Sequence, residues 1–297
     1  MVIRIIYFKH IVMLTKTLSY RLLMVPVAVV VISSCQKMTR PALGDYPQDH
    51  TVTPTTSLRF FASFDSTSPE DKQINIRFKD SISSYPSFFP AASISYTTGV
   101  HGTAYEGPSD AYLSYVNAND FISTAKSFTV AFWEKRNGAP VGNAAFVFDF
   151  PSSNGHWTVS SLFLLFDWSN PANNDSAILK LHVVDKDVNE GWLTWEGPNR
   201  VKGIQDNKWH HLAFVYDATT SKVTLYVDGV ANSNVPQWDN HGAANMDASK
   251  LKGFSLGGKN VKDLGWGQDW GGELDQFRLY NAALSAAEVQ ALYNGKI

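Results

Sequence analysis

Apolar and polar residues alternate along most of this chain beyond residue 58. The clearest case is KWHHLAFVYDATTSKVTLYVDG, Lys208 to Gly229. Leu212, Phe214 and Tyr216 share one parity, a polar run follows, and Val223, Leu225 and Val227 repeat the pattern. A period of two puts alternate side chains on opposite faces of a strand, so the stretch predicts a hairpin. Asp228-Gly229 ends it, as a turn of residues that tolerate positive φ. The same pattern predicts strands at 58–65, 111–116, 127–136, 144–150, 157–168, 177–184, 253–258 and 272–281. In 177–184, Leu179, Leu181 and Val183 take one face and Lys180 and His182 the other. One segment predicts a helix: Ser285 to Glu288 is a capping box, EVQALYNG follows, and Gly295 is a natural stop. So many strands with one terminal helix predict an all-β fold, a two-sheet antiparallel jelly-roll sandwich with a short C-terminal helix.

The first 57 residues do not share the pattern. Arg4, Lys9, Lys16 and Arg21 precede the apolar run Leu22–Ile32, which is short for a membrane-spanning helix. A positive flank, a short apolar core and the small residues Ser33 and Ser34 are the parts of a secretory signal. Met13 begins a well-formed signal of its own, so the start is read at Met13 or, as the alternative, at Met1. Ile32-Ser33-Ser34-Cys35 resembles a bacterial lipobox, which implies cleavage before Cys35 and lipidation of its thiol. Gln36 after the cysteine, rather than Asp, implies sorting to the outer membrane. Residues 35–57, with Pro41, Pro47 and Pro54, read as a lipid-anchored tether between the signal (1–34) and a domain spanning 58–297.

Composition narrows the classes. A net charge of −2 over 297 residues gives no basic footprint, so no nucleic-acid partner is expected. A lone cysteine allows no intrachain disulfide and no cysteine-based zinc site. Nine tryptophans exceed what a core of this size needs and leave some for surface work.

SFTVAFWEKR, KWHHLAFVYDATTSKVTLYVDGV, FSLGG and GGELDQFRLYNAALSAAEVQALYNG, in this order, resemble the laminin-G/concanavalin A-like jelly-roll family in its bacterial form. GVHGTAYEG (99–107) resembles an early segment of that family. The resemblance covers roughly residues 58–297, and the anchor and tether before it look like a Bacteroidetes-type surface lipoprotein of glycan uptake. In this family the Trp209-His210-His211 position is structural, with Trp209 expected in the core.

Two site readings follow from the resemblance. Laminarinase-type hydrolases of this fold carry three carboxylates on one strand. Glu273 and Asp275 fit two places, but Gln276-Phe277-Arg278 supplies no third, so no catalysis is expected. Relatives often hold a structural calcium ion, and Asp275 matches the carboxylate position, with Asp65 as partner. The alternative is that Asp275 caps a turn or pairs with Arg278. His101, His156, His182 and His241 show no zinc-binding spacing.

Trp192, Trp195, Trp238, Trp266 and Trp270 sit among Gly, Asn, Asp and Pro. Trp192 and Trp195, with Trp266, Asp269 and Trp270, are the expected ligand surface. A pyranose stacks its C–H face on such rings while Asp and Asn take hydroxyls. The alternative is that the rings cover core edges. The sequence therefore predicts a lipid-anchored, non-catalytic envelope protein that binds a glycan or a partner protein. The rivals are a hydrolase of the same fold and an adhesion subunit.

Overall fold

The computed structural model describes residues 53–65, 77–88, 92–168, 175–232, 236–258 and 265–297. The signal, Cys35 and nearly all of the tether lie outside the described residues. In chain order the strands begin with β1 (Leu58–Ala62), β2 (Ser95–Thr98), β3 (Thr103–Glu106) and β4 (Leu113–Tyr115). A single helical turn, α1 (Phe121–Thr124), precedes β5 (Phe128–Lys135), β6 (Ala144–Pro151), β7 (Ser160–Asp167) and β8 (Ser176–Val184). Then come β9 (Glu190–Trp195), β10 (Val201–Lys202), β11 (His210–Asp217), β12 (Lys222–Val227) and β13 (Val230–Ala231). The chain ends with β14 (Phe254–Leu256), β15 (Gly267–Gln268), β16 (Glu273–Tyr280) and α2 (Ala286–Asn294).

These strands make the two sheets of a jelly-roll sandwich. The first runs β13-β12-β11-β5-β16-β3-β2, with β1 also on β16. The second runs β10-β8-β7-β6-β14-β4, with β9 on β8 and β15 on β6. All pairings are antiparallel except β15 with β6. Period-two alternation turns Phe128, Val130 and Phe132 of β5 and Leu212, Phe214 and Tyr216 of β11 toward Leu162, Leu164 and Phe166 of β7 and Leu179 and Leu181 of β8. That interior is rich in ring contacts, such as Phe150–Phe254 at 4.5 Å and Phe60–Phe254 at 4.9 Å.

The opening hairpin forms as its pattern predicts, with Phe214 opposite Leu225. Asp228 and Gly229 both take positive φ, 51° and 80°, between β12 and β13. The outer face of the first sheet is closed by α2. Ser285 and Glu288 make the reciprocal capping box. Leu284 and Val289 pack on Ala131, Ala213 and Val215, and Tyr293 stacks on Trp133 at 5.4 Å. Trp209 does not enter the core. It precedes β11 and is half-buried, with Lys135 over its ring at 5.9 Å.

Candidate functional site

The outer face of the second sheet has no covering helix among the described residues and carries its own apolar cluster. Residues that alternate away from the core come into line across the strands. Phe163 of β7 lies opposite His182 of β8, which lies opposite Trp192 of β9. One step along, Phe146 of β6 faces Leu165, which faces Lys180. Ala144, Phe146, Phe163 and Leu165 form a buried cluster separate from the main core, with Trp192 and Trp266 packed on it. Trp266 is held there because its carbonyl accepts from Ala144 N–H at 2.9 Å, beside the short β15–β6 pairing. From the loop between β6 and β7 comes Trp157, 58% exposed. It stacks on Trp192 at 6.2 Å and 24°, and lies 6.4 Å from Trp266. Trp157, Trp192, Trp266, Leu165, Asp167 and Lys180 line a cavity of about 330 Å³. Its polar side is the Lys180–Asp167 ion pair at 2.7 Å, with Glu196 at 3.8 Å from the same ammonium.

A second polar group borders these rings. Glu190 Oε2 lies 3.1 Å from His156 Nε2 and 3.0 Å from His182 Nε2, and accepts from Trp192 Nε1–H at 2.8 Å. His182 is fully buried. Burial, and then the charge of His156, hold its pKa down to about 4 against the raising effect of Glu190. Burial raises the Glu190 carboxyl, but hydrogen bonds from His182 and Trp192 outweigh it and leave it below its usual range.

The site differs from the expected one residue by residue. Trp192 and Trp266 belong to it. Trp195 and Trp270 do not, because both are fully buried in the main core. Trp192 and Trp195 lie on one strand at odd spacing, so they take opposite faces. Trp195 packs edge-on against Phe214 at 5.4 Å. Trp270 packs edge-on against Phe166 at 4.8 Å, with Arg136 at 5.1 Å over its ring. Asp269 is half-buried beside Gly258 and is not among the cavity residues. Trp238 is also buried, stacked on His241 at 3.5 Å. Trp157, Lys180 and Asp167 were missed. The outward parity of Lys180 was readable, but 157–168 read as one strand, and β7 starts only at Ser160.

The two carboxylates suggested for calcium do meet, on the other sheet. Asp275 of β16 and Asp65, just after β1, both hold the turn 99–103. Val100 N–H donates to Asp275 Oδ2 at 2.8 Å, and Thr103 N–H donates to Asp65 Oδ1 at 2.8 Å. The approach is so close that a Cβ on Gly99 would stand 2.3 Å from Asp275 Oδ2, and one on Gly102, at φ +54°, 2.0 Å from Asp65 Oδ1. Asp275 Oδ1 is buried and has no partner among the described residues. Burial, and then the charge of Asp65, push the Asp275 carboxyl up to about 7. Two adjoining carboxylates with one orphaned oxygen fit a hard dication. Glu273 is paired with Lys135 at 2.9 Å. Arg278 lies over Phe61 at 4.3 Å and bonds Gln276.

Residues 110–290 match the family model described as the concanavalin A-like lectin/glucanases superfamily. No curated protein matches the chain. Among solved structures it is similar to domain 4 of an extracellular arabinanase from Geobacillus stearothermophilus, in complex with arabinotriose. The TM-score is 0.52 at 18% identity, over 80% of this chain and 98% of that one. It is also similar to the binding domain of Paraclostridial Mosquitocidal Protein 1, with TM-score 0.53 at 15% identity over 80% of this chain. A third is the binding domain of botulinum neurotoxin DC in complex with rat synaptotagmin II, with TM-score 0.51 at 10% identity over 81% of this chain. This chain spans about half the length of the two toxin domains, 52% of each. At these identities the likeness is one of fold.

Proposed function

The chain belongs to the concanavalin A-like lectin/glucanases superfamily, and we propose that it is a non-catalytic glycan receptor of the cell envelope. The observation that carries this reading is the cavity of about 330 Å³ under Trp157, Trp192 and Trp266. Three rings at different tilts offer stacking faces for sugar C–H surfaces. Lys180, Asp167 and Glu196 stand beside them as hydroxyl partners. The volume suits one or two sugar rings rather than a protein helix. Structures of the same fold hold arabinotriose in one case and a protein in another, so the choice of a glycan rests on the cavity.

Absence of catalysis is part of the proposal. Its support is that Glu273 is neutralised by Lys135 and Asp275 is buried beside Asp65, both on the sheet opposite the cavity. A calcium ion at Asp65 and Asp275 is proposed as structural. The lipid anchor at Cys35, with outer-membrane placement as in Bacteroidetes-type lipoproteins, rests on the Ile-Ser-Ser-Cys step. Among the described residues no helix is long and apolar enough to cross a membrane.

The test is a polysaccharide panel against the full chain. Binding is expected to at least one neutral glycan, without release of reducing ends. Trp157→Ala and Trp192→Ala should each lose about 1.5 kcal/mol or more of binding, roughly tenfold in Kd; exposed Trp157 should do so at nearly unchanged stability, while Trp192→Ala also gives up packing on the outer cluster. Trp195→Ala should instead unfold readily, by about 3–5 kcal/mol. Glycan affinity that survives loss of both Trp157 and Trp192 would remove the cavity from consideration, and reducing ends released by the wild type would overturn the non-catalytic reading.

A further inference from the structure

We propose that His156, His182 and Glu190 form a binding site for a borderline transition-metal dication of the Zn²⁺ type at the edge of the aromatic cavity. The three residues come from the β6–β7 loop, β8 and β9, so the site exists only in the folded sheet. Their ligating atoms, two imidazole nitrogens and a carboxylate oxygen, all lie within 4.8 Å of one another. The two histidine nitrogens stand 3.1 and 3.0 Å from the same Glu190 oxygen. A tetrahedral ion with ligands at about 2.0–2.1 Å sets neighbouring ligands roughly 3.3 Å apart, close to both histidine–glutamate separations, and the two ring nitrogens need only draw together from a separation of at most 4.8 Å.

Donor chemistry selects the ion. Two neutral imidazoles and one carboxylate suit zinc, and calcium and magnesium prefer all-oxygen shells. Ligation through Nε2 requires each ring to carry its proton on Nδ1. His156 Nδ1 is 2.7 Å from Thr158 Oγ1, which can accept that proton's hydrogen bond and fix the ring once the longer 3.3 Å bond that Nδ1 accepts from Thr158 N–H is given up. Moving the His182 proton to Nδ1, which has no hydrogen-bond partner among the described residues, gives up the Nε2–H bond to Glu190, and ligation of both groups by one ion replaces that bond. The Trp192 indole N–H bonds the Glu190 oxygen and orients it. Glu190 is 37% exposed while both rings are buried. Three protein ligands on the inner side thus leave the outer position open, beside Trp157 and Trp192, for water or a sugar hydroxyl.

The experiment uses the full chain, stripped by chelator and returned to excess calcium, with no sugar present. Zn²⁺ is titrated by calorimetry and Co²⁺ by its visible ligand-field absorption. One Zn²⁺ per chain is expected, with Co²⁺ giving the intense band of low coordination. Glu190→Gln is nearly isosteric at a part-exposed position and should fold normally, yet weaken both ions at least tenfold. Thr158→Val should weaken them less, through lost orientation of His156. Absence of zinc binding by the wild type overturns the proposal. So does equal zinc binding by Glu190→Gln, since the ion then sits on other histidines such as His101 or His210. Because no sugar is added, either outcome leaves the glycan reading to its own test.

Discussion

At the scale of single residues, the same side chain types serve opposite ends according to the face they take. Trp192 and Trp195 are three positions apart, and only one can reach solvent from β9. Sequence neighbours alone suggested a loop for both, because Asn189, Gly191, Gly197 and Pro198 crowd a short strand. Knowing that the stretch is a strand is enough to separate them. The acidic residues show the converse. Asp65 and Asp275 were paired by family resemblance across more than two hundred positions, and the structure brings both onto one turn. The orphaned oxygen of Asp275 makes a prediction. A metal seen only by the native state stabilises it by mass action. Chelator should lower the melting temperature of the wild type, and calcium in excess should restore it. Asp275→Asn keeps an acceptor on Val100 N–H but loses the charge, so it should show no response to either. An equal chelator effect in wild type and variant would remove Asp275 from the ligand set.

At the scale of elements, long alternating runs were readable and edge pieces were not. β5, β11, β12 and β16 were bounded to within about two residues, because their inner face is buried and period two is strict. β2 was missed because SYTT has no apolar alternation, and its burial shows why: an edge strand with little to cover it. The helix was readable from its cap, but what lies beneath it was not. His211 of β11 faces outward under α2, 5.2 Å from Trp133 and 6.3 Å from Tyr293. Both ring nitrogens lack partners among the described residues. Burial, and then the charge of Arg278, hold its pKa down to about 4, against the opposing pull of Asp228. An unfolded histidine titrates near 6.5. The unfolded chain therefore binds more protons between those two values, and the contribution of neutral His211 to stability is complete above about pH 6.5 and is lost as pH falls toward about 4. His182 titrates in the same window for the same reason, so the variants must separate them. His211→Gln should flatten part of the decline in melting temperature from pH 7 to pH 4.5. It should do so together with protection of α2 amides from hydrogen exchange, a local readout that His182→Gln should leave unmoved. If acid loosens α2 equally in His211→Gln, another group beneath the helix is responsible.

At the scale of the whole molecule, the two sheets differ in what covers their outer faces, and the proposed function divides the work between them. One is closed on its outer face by α2 and tied at its end by the Asp65–Asp275 turn, which suits a rigid support. The other carries an apolar cluster under three indoles, with no helix over it among the described residues, and this is the face proposed to bind. Nothing in the sequence assigned these roles to the sheets, since the β6–β7 loop, β9 and the residues before β15 meet only through tertiary pairing. The proposed anchor adds a separable part. All cavity residues fall between Trp157 and Trp266, far along the chain from Cys35. Membrane attachment and ligand affinity should therefore be lost independently. In a bacterial host with lipoprotein processing, Cys35→Ser should abolish incorporation of labelled palmitate, leave the signal uncleaved, and shift the chain out of the outer-membrane fraction. The same variant, extracted and purified, should bind glycan with the wild-type Kd to within about a factor of two, or ~0.4 kcal/mol. Continued palmitate labelling would dismiss Cys35 as the anchor. A large fall in affinity would mean that the anchored segment takes part in the binding face, and that the division between tether and receptor is wrong.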